Sequence, residues 1–345
     1  MLTTIIAEMA WAHDGSLDKA VAIMRAAKNA GANAIGIHIT DMPAYMVRYY
    51  GSGEGKVSAG HENLEVFAYL EKINLTHAAW LEFAAAARLE GIGLCVMPND
   101  MPSLAFAEKE LTPAAYALPA ACFVDPEFLE AVAKTGKRTY FRIGGATLGE
   151  IEAAVDLFRQ AGNGDIVLLH GIQSYPTDLA DTHIAYLGTL KNLFGLPVGL
   201  ADHIDGGSPL AVSLPLLALA HGATAIEKHL TFDRTEKGED FESALDPMVF
   251  AGFVEAVRAA EIALGHGRHE ALSPAQHRYR SVVRKKIVAA RDLPAGTILA
   301  REHVAFKRCD VGLTLDKLDL ILGRTLAVAV QADDTVEPSK LGACS

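Results

Sequence analysis

Eight short apolar runs, each followed by a helix-length amphipathic stretch, occupy the chain from its first residues to about residue 265. Such alternation calls for parallel strands joined by crossover helices, since antiparallel neighbours need only a tight turn between them. The runs are Thr4–Glu8, Ala34–Ile39, Gly91–Val96, Ala115–Leu118, Thr139–Ile143, Asp165–His170, Pro197–Asp202 and Thr224–His229. Eight repeats predict an α/β chain closed as a (β/α)8 TIM barrel; an open doubly wound sheet, the competing arrangement, usually stops at five or six strands. Helix boundaries are written between the runs. Ser16 precedes LDKAVAIMRAAKNA with Gly31 as its stop, and Thr147 with Glu150 spells a capping box.

Two departures from the repeat are visible. Residues 41–75 form a long insertion after the second strand, centred on GSGEGKVSAG; Lys56 is followed by Val57, so the phosphate-loop pattern fails and a mobile glycine-rich lid is expected instead. Near Pro274 the alternation ends. The basic stretch after it predicts a linker over 276–283, between a barrel over 1–275 and a small β-rich domain over 284–345 with a turn at Leu293–Gly296. A domain of about 60 residues is marginal alone, so docking on the barrel or on a partner subunit is expected.

Composition narrows the function classes. Half of the residues are hydrophobic and 21% charged, a globular ratio, and the formal charge of −11 with no basic run opposes binding to nucleic acid. No run approaches the roughly 20 apolar residues of a membrane span, and no basic segment precedes the short apolar start, so a cytoplasmic protein is expected. The four cysteines stand far apart without a CxxC pair, which argues against a zinc ribbon or a disulfide framework.

In a TIM barrel the chemistry gathers where strands end. Five of the 13 histidines, His13, His38, His170, His203 and His229, fall there, with Glu8, Asp202 and Glu227. His203 and His229 lie on consecutive strands. Two neutral imidazoles so placed suit a divalent metal with open positions for a substrate oxygen; the competing reading is a pair of core histidines bonded to backbone. Glu227 and His229 are two apart and point together into the lumen, with Lys228 outward. Glu8 and Glu227 either orient substrate and move a proton or form ion pairs in the barrel wall.

At these residues the chain resembles the sialic acid (N-acetylneuraminate) synthase family. Glu8-Met-Ala-Trp-Ala-His13-Asp-Gly15-Ser16 resembles the family's E-x-G-x-N-H-x-G-S, and Lys28-Asn-Ala-Gly-Ala-Asn-Ala34 its K-x-A-G-A-D-A. Leu168-Leu169-His170 with Tyr175-Pro176-Thr177, Pro197 to His203, Ile226 to Thr231, and Gly238-Glu-Asp240 with Ser243 to Pro247 follow in order. Ser281 to Arg284, Ile287 to Gly296 and Lys307-Arg308 resemble the antifreeze-like SAF domain fused to those enzymes. The resemblance implies condensation of phosphoenolpyruvate with an amino-sugar aldehyde to an acidic 2-keto sugar. It implies manganese or magnesium on His203 and His229, and catalytic contacts from Glu8, Tyr175, Glu227 and Asp240. It further implies a domain-swapped homodimer in which Arg308 touches the partner's sugar; His13, His38, Arg142, His170 and Asp202 are expected on substrate.

The family's pattern is broken at definite places. Its K-F-Q is Gly36-Ile37-His38 here, its T-P-F-D is Met97-Pro98-Asn99-Asp100, its S-T-G-M is Arg142-Ile143-Gly144-Gly145, its T-S-N-Y-P is Ile172 to Pro176, and the serine of S-D-H is Ala201. The segment Ala117 to Cys122 replaces K-I-A-S-G-D. Charge-assisted bonds each contribute about 1.5–3 kcal/mol, and small apolar groups do not replace them. Two further readings follow, a metal-dependent aldolase or lyase with an unphosphorylated donor, for which the single Arg142 suits one carboxylate, and a non-catalytic sugar-binding relative without metal.

Overall fold

The computed structural model describes residues 2–48 and 66–342. Eight parallel strands close into a barrel: β1 Thr4–Glu8, β2 Ala34–Ile39, β3 Gly93–Pro98, β4 Ala115–Pro119, β5 Arg138–Arg142, β6 Ile166–His170, β7 Val198–Asp202 and β8 Ala223–His229. Closure is made by β8 against β1, from Thr4 opposite Ala225 to Glu8 opposite His229. The first two strands have the expected limits, and the others shift by a residue or two.

Alternation along the strands sorts the side chains. Ile6, Cys95, Met97, Ala117, Tyr140, Leu169 and Ala201 fill the lumen, while Ile5, Ile35, Val96, Leu168, Leu200 and Ile226 pack outward under the helices. The helix Leu17–Ala30 covers that outer face with Ala20, Ile23, Met24 and Ala27, each large one contributing about 1.5–3 kcal/mol by burial. Its ends are those expected. Ser16 accepts from the Lys19 amide, and Gly31 takes the left-handed conformation, φ 91°, that closes the last turn. Ser16→Ala is expected to lower barrel stability by about 1 kcal/mol in urea melts, since one helix amide loses its acceptor; no change would show that water replaces the cap. The capping box at Thr147 and Glu150 is present as well.

The described residues of the insertion after β2 form two helices, Met42–Tyr45 and Val66–Ile73, whose buried side chains pack with Trp11. The glycine-rich centre expected as a lid lies outside the described residues. No helix among the described residues is long and apolar enough to cross a membrane.

The chain divides into two compact units, Met1–Gly265 and His266–Ser345. Residues 276–283, expected as a linker, are helical: Pro274–Val283 is a helix begun by a capping box between Ser273 and Gln276, and none of its residues is buried. The overlooked signal was S-P-A-Q, a cap, a proline at the first position and a glutamine three residues after the cap. Beyond it β9 Lys285–Ala289 pairs antiparallel with β10 Val304–Arg308 around a core of Ile287, Leu299, Ile321, Leu326 and Val336.

Candidate active site

The carboxyl-terminal end of the lumen is organised by one cation. Arg142, the last residue of β5, crosses the lumen, where its Nε donates to Oε2 of Glu227 at 2.9 Å and its Nη2 lies 2.7 Å from the same oxygen. Nη2 also donates to Oε2 of Glu8. Nη1 meets only the sulfur of Met97, at 3.7 Å, a weak acceptor. The other oxygen of Glu8 accepts from the Ala10 amide at 2.7 Å, so this carboxyl is held from both sides. Gly36 makes room for it, because a Cβ on that residue would stand 2.2 Å from Oε2 of Glu8.

All three charged groups are buried. Burial pushes Glu227 up to about 7 against the attraction of Arg142. The same burial opposes the charge of Arg142, yet Glu227 and Glu8 more than offset it and hold the guanidinium above its ordinary value. Oε1 of Glu227 has no hydrogen-bond partner.

Next to this trio stand the two histidines expected as a metal pair. His229 ends β8, His203 follows β7, and their ring centroids are 5.2 Å apart. Tyr175 stands edge-on to both, 4.9 Å from His203 and 5.5 Å from His229. Nδ1 of His203 is 3.0 Å from the Ile172 carbonyl, which places its proton there and leaves Nε2 as the lone pair. The backbone of His203 is fixed in turn by the hydroxyl of Ser243, which donates to the His203 carbonyl at 2.7 Å. Nδ1 of His229 lies 3.9 Å from Oδ2 of Asp240.

Both Nε2 atoms are buried without a hydrogen-bond partner. Burial lowers His203 to about 3, and burial with the neighbouring His203 lowers His229 well below its ordinary value, so both rings are neutral near pH 7. Two neutral imidazole nitrogens orphaned side by side fit a divalent cation. Among the described residues no cluster of three His, Cys, Asp or Glu ligands forms.

The other expected residues are placed differently from one another. His38 joins the lumen set: Nδ1 accepts from Nε1 of Trp11 at 3.1 Å, and Nε2 is 3.6 Å from Oε1 of Glu8. Asp202, expected on substrate, faces the outer side of β7, where it pairs with Lys228 at 2.5 Å and both are buried. His203 follows Asp202 directly, so alternation sends the two side chains to opposite faces. His170, also expected on substrate, packs toward the helices with Nε2 3.0 Å from the Thr182 carbonyl and its ring edge-on to Tyr186. His13 is a turn residue. Its Nδ1 accepts from the Gly15 amide, its ring stands against Trp80, and burial lowers it to about 3. Arg308 lies on β10 of the second unit, opposite Lys285, and is exposed.

Gly36 and Met97 take part in the site without having been singled out for it. A period-two count from His38 would have found Gly36 on the lumen face, and the register places Met97 directly opposite His38.

Residues 23–269 match the NeuB family, and residues 284–342 match the SAF domain. A pseudaminic acid synthase of Campylobacter jejuni is 30% identical over 97% of this chain and 95% of its own length. An uncharacterized protein of Methanocaldococcus jannaschii is 32% identical over 97% of this chain and 93% of its own. Among solved structures, the N-acetylneuraminic acid (sialic acid) synthetase of Leptospira borgpetersenii in complex with citrate superposes with a TM-score of 0.70 at 28% identity, over 81% of this chain and 92% of that one.

Proposed function

The chain belongs to the NeuB family, and from that premise we propose that it forms a C–C bond between a three-carbon enol or enolate donor and an amino-sugar-like aldehyde, giving an acidic 2-keto sugar. The observation that carries this reading is the pair of partnerless Nε2 atoms on His203 and His229, beside the free oxygen of Glu227 at the mouth of a barrel. Manganese or magnesium held by those two nitrogens would act as a Lewis acid on a carbonyl oxygen.

The residues of the chain supply the rest. The Ile172 carbonyl orients His203 through its Nδ1, and Oδ2 of Asp240 stands 3.9 Å from Nδ1 of His229. Tyr175 stands edge-on to both rings, and its hydroxyl stays protonated because burial and Asp240 raise it well above its ordinary value. Glu227, with Oε2 tied to Arg142, has Oε1 left to bind a sugar hydroxyl or to take up a proton.

The test is product formation. Manganese-loaded protein is incubated with N-acetylated amino sugars and either phosphoenolpyruvate or pyruvate, and new 2-keto acids are sought by mass spectrometry. A coupled product with either donor is expected; none with any pairing would overturn the reading.

A further inference from the structure

We infer that the donor subsite of this barrel takes the monoanion of an unphosphorylated 2-oxo acid of the size of pyruvate, and that it discriminates against the phosphorylated enol. The inference rests on the reading above that the donor is a three-carbon acid.

Charge is the first reason. Arg142 is the one cation among the described residues that reaches the lumen at the level of His203 and His229, and two carboxyls already engage it. The other basic side chain nearby, Lys228, is turned outward and consumed by Asp202. A carboxylate adds a single negative charge to this floor. A phosphate ester adds two more, with no further cation among the described residues of the lumen to meet them in a poorly solvated site. A divalent ion on the histidines would balance the first anion and leave the second in excess.

Hydrogen bonding is the second reason. Because Trp11 donates to Nδ1 of His38, the proton of that neutral ring sits on Nε2, which is buried without a hydrogen-bond partner, Oε1 of Glu8 standing 3.6 Å away. Burial lowers His38 to about 4 against the attraction of Glu8, with Arg142 adding a smaller push downward, so the ring is neutral near pH 7. The second unspent donor is Nη1 of Arg142, which meets only Met97, and Met97 is the register partner of His38 on the adjacent strand. Two donors on neighbouring positions match the two oxygens of one carboxylate. The space on β2 for a longer side chain is closed, because Oε2 of Glu8 occupies the place of a Cβ on Gly36.

A donor without phosphate needs no leaving group. A C3 proton of the 2-oxo acid passes to Oε1 of Glu227, C3 bonds to the aldehyde carbon, and the aldehyde oxygen takes up a proton. The product then has the summed mass of both substrates.

The test is calorimetric titration of pyruvate and of phosphoenolpyruvate into the full chain, with and without manganese, for the wild type, His38→Phe and Trp11→Phe. Pyruvate is expected to bind at least tenfold tighter than phosphoenolpyruvate. His38→Phe should weaken pyruvate at least tenfold with an unchanged melting temperature. Should that variant fail to fold, Trp11→Phe keeps the histidine but frees its tautomer; it should weaken pyruvate severalfold and move the His38 imidazole 15N resonances. Equal or tighter phosphoenolpyruvate binding, binding of neither acid, or pyruvate binding indifferent to both variants would overturn the inference. Pyruvate binding as described, with no coupled product from any sugar, would leave it standing and remove the condensation reading instead.

Discussion

Replacing Arg142 with methionine is expected to destabilise the barrel by about 3–5 kcal/mol, the usual cost of leaving a buried ionic partner uncompensated. Methionine fills much of the same volume, so the loss reports charge and not a cavity. Two carboxyls, Glu8 and Glu227, would face each other without their shared cation. Urea unfolding followed by tryptophan fluorescence reads this directly, because both tryptophans, Trp11 and Trp80, lie in the barrel unit. Adding Glu8→Gln and Glu227→Gln to the same chain should recover a large part of the loss. A single-variant effect below about 1 kcal/mol would mean that water reaches the trio and that the pairing is as weak as a surface ion pair.

His203→Ala and His229→Ala are each expected to weaken manganese binding at least about 100-fold, since removing even an outer partner of a metal-bound histidine typically costs 10–100-fold. Asp240→Asn provides that milder case, about 10-fold, through its contact with Nδ1 of His229. Electron paramagnetic resonance of free manganese during titration measures all three. Retained affinity in both alanine variants would place any metal elsewhere and leave the two rings as core histidines.

Much of the barrel was legible because its cause is local. Strand runs, the Ser16 and Thr147 caps and the stop at Gly31 depend on residues within a turn of one another. The shared direction of Glu227 and His229 was also a local matter of period-two alternation. The same rule, carried one strand back, separates Asp202 from His203, and along β6 it separates His170 from the lumen residue Leu169. These were errors of application. The helix Pro274–Val283 was missed for a different reason: it buries nothing, so it has no apolar stripe, and only its cap announces it.

What the sequence by itself determined is therefore the list of elements, the closed barrel they build and the family whose pattern they share. The elements and the barrel follow from propensity, periodicity and spacing, which act over a few residues and repeat along the chain; the family follows from the resemblance of its motifs. The tertiary structure alone decided which charges meet. Glu8, Arg142 and Glu227 come from the first, fifth and eighth strands, and Trp11, in the turn after β1, sets the tautomer of His38 on β2. Whether a buried carboxyl is a ligand, a base or half of an ion pair depends on what stands opposite it within hydrogen-bonding reach. In a closed barrel, that neighbour is brought from far along the chain.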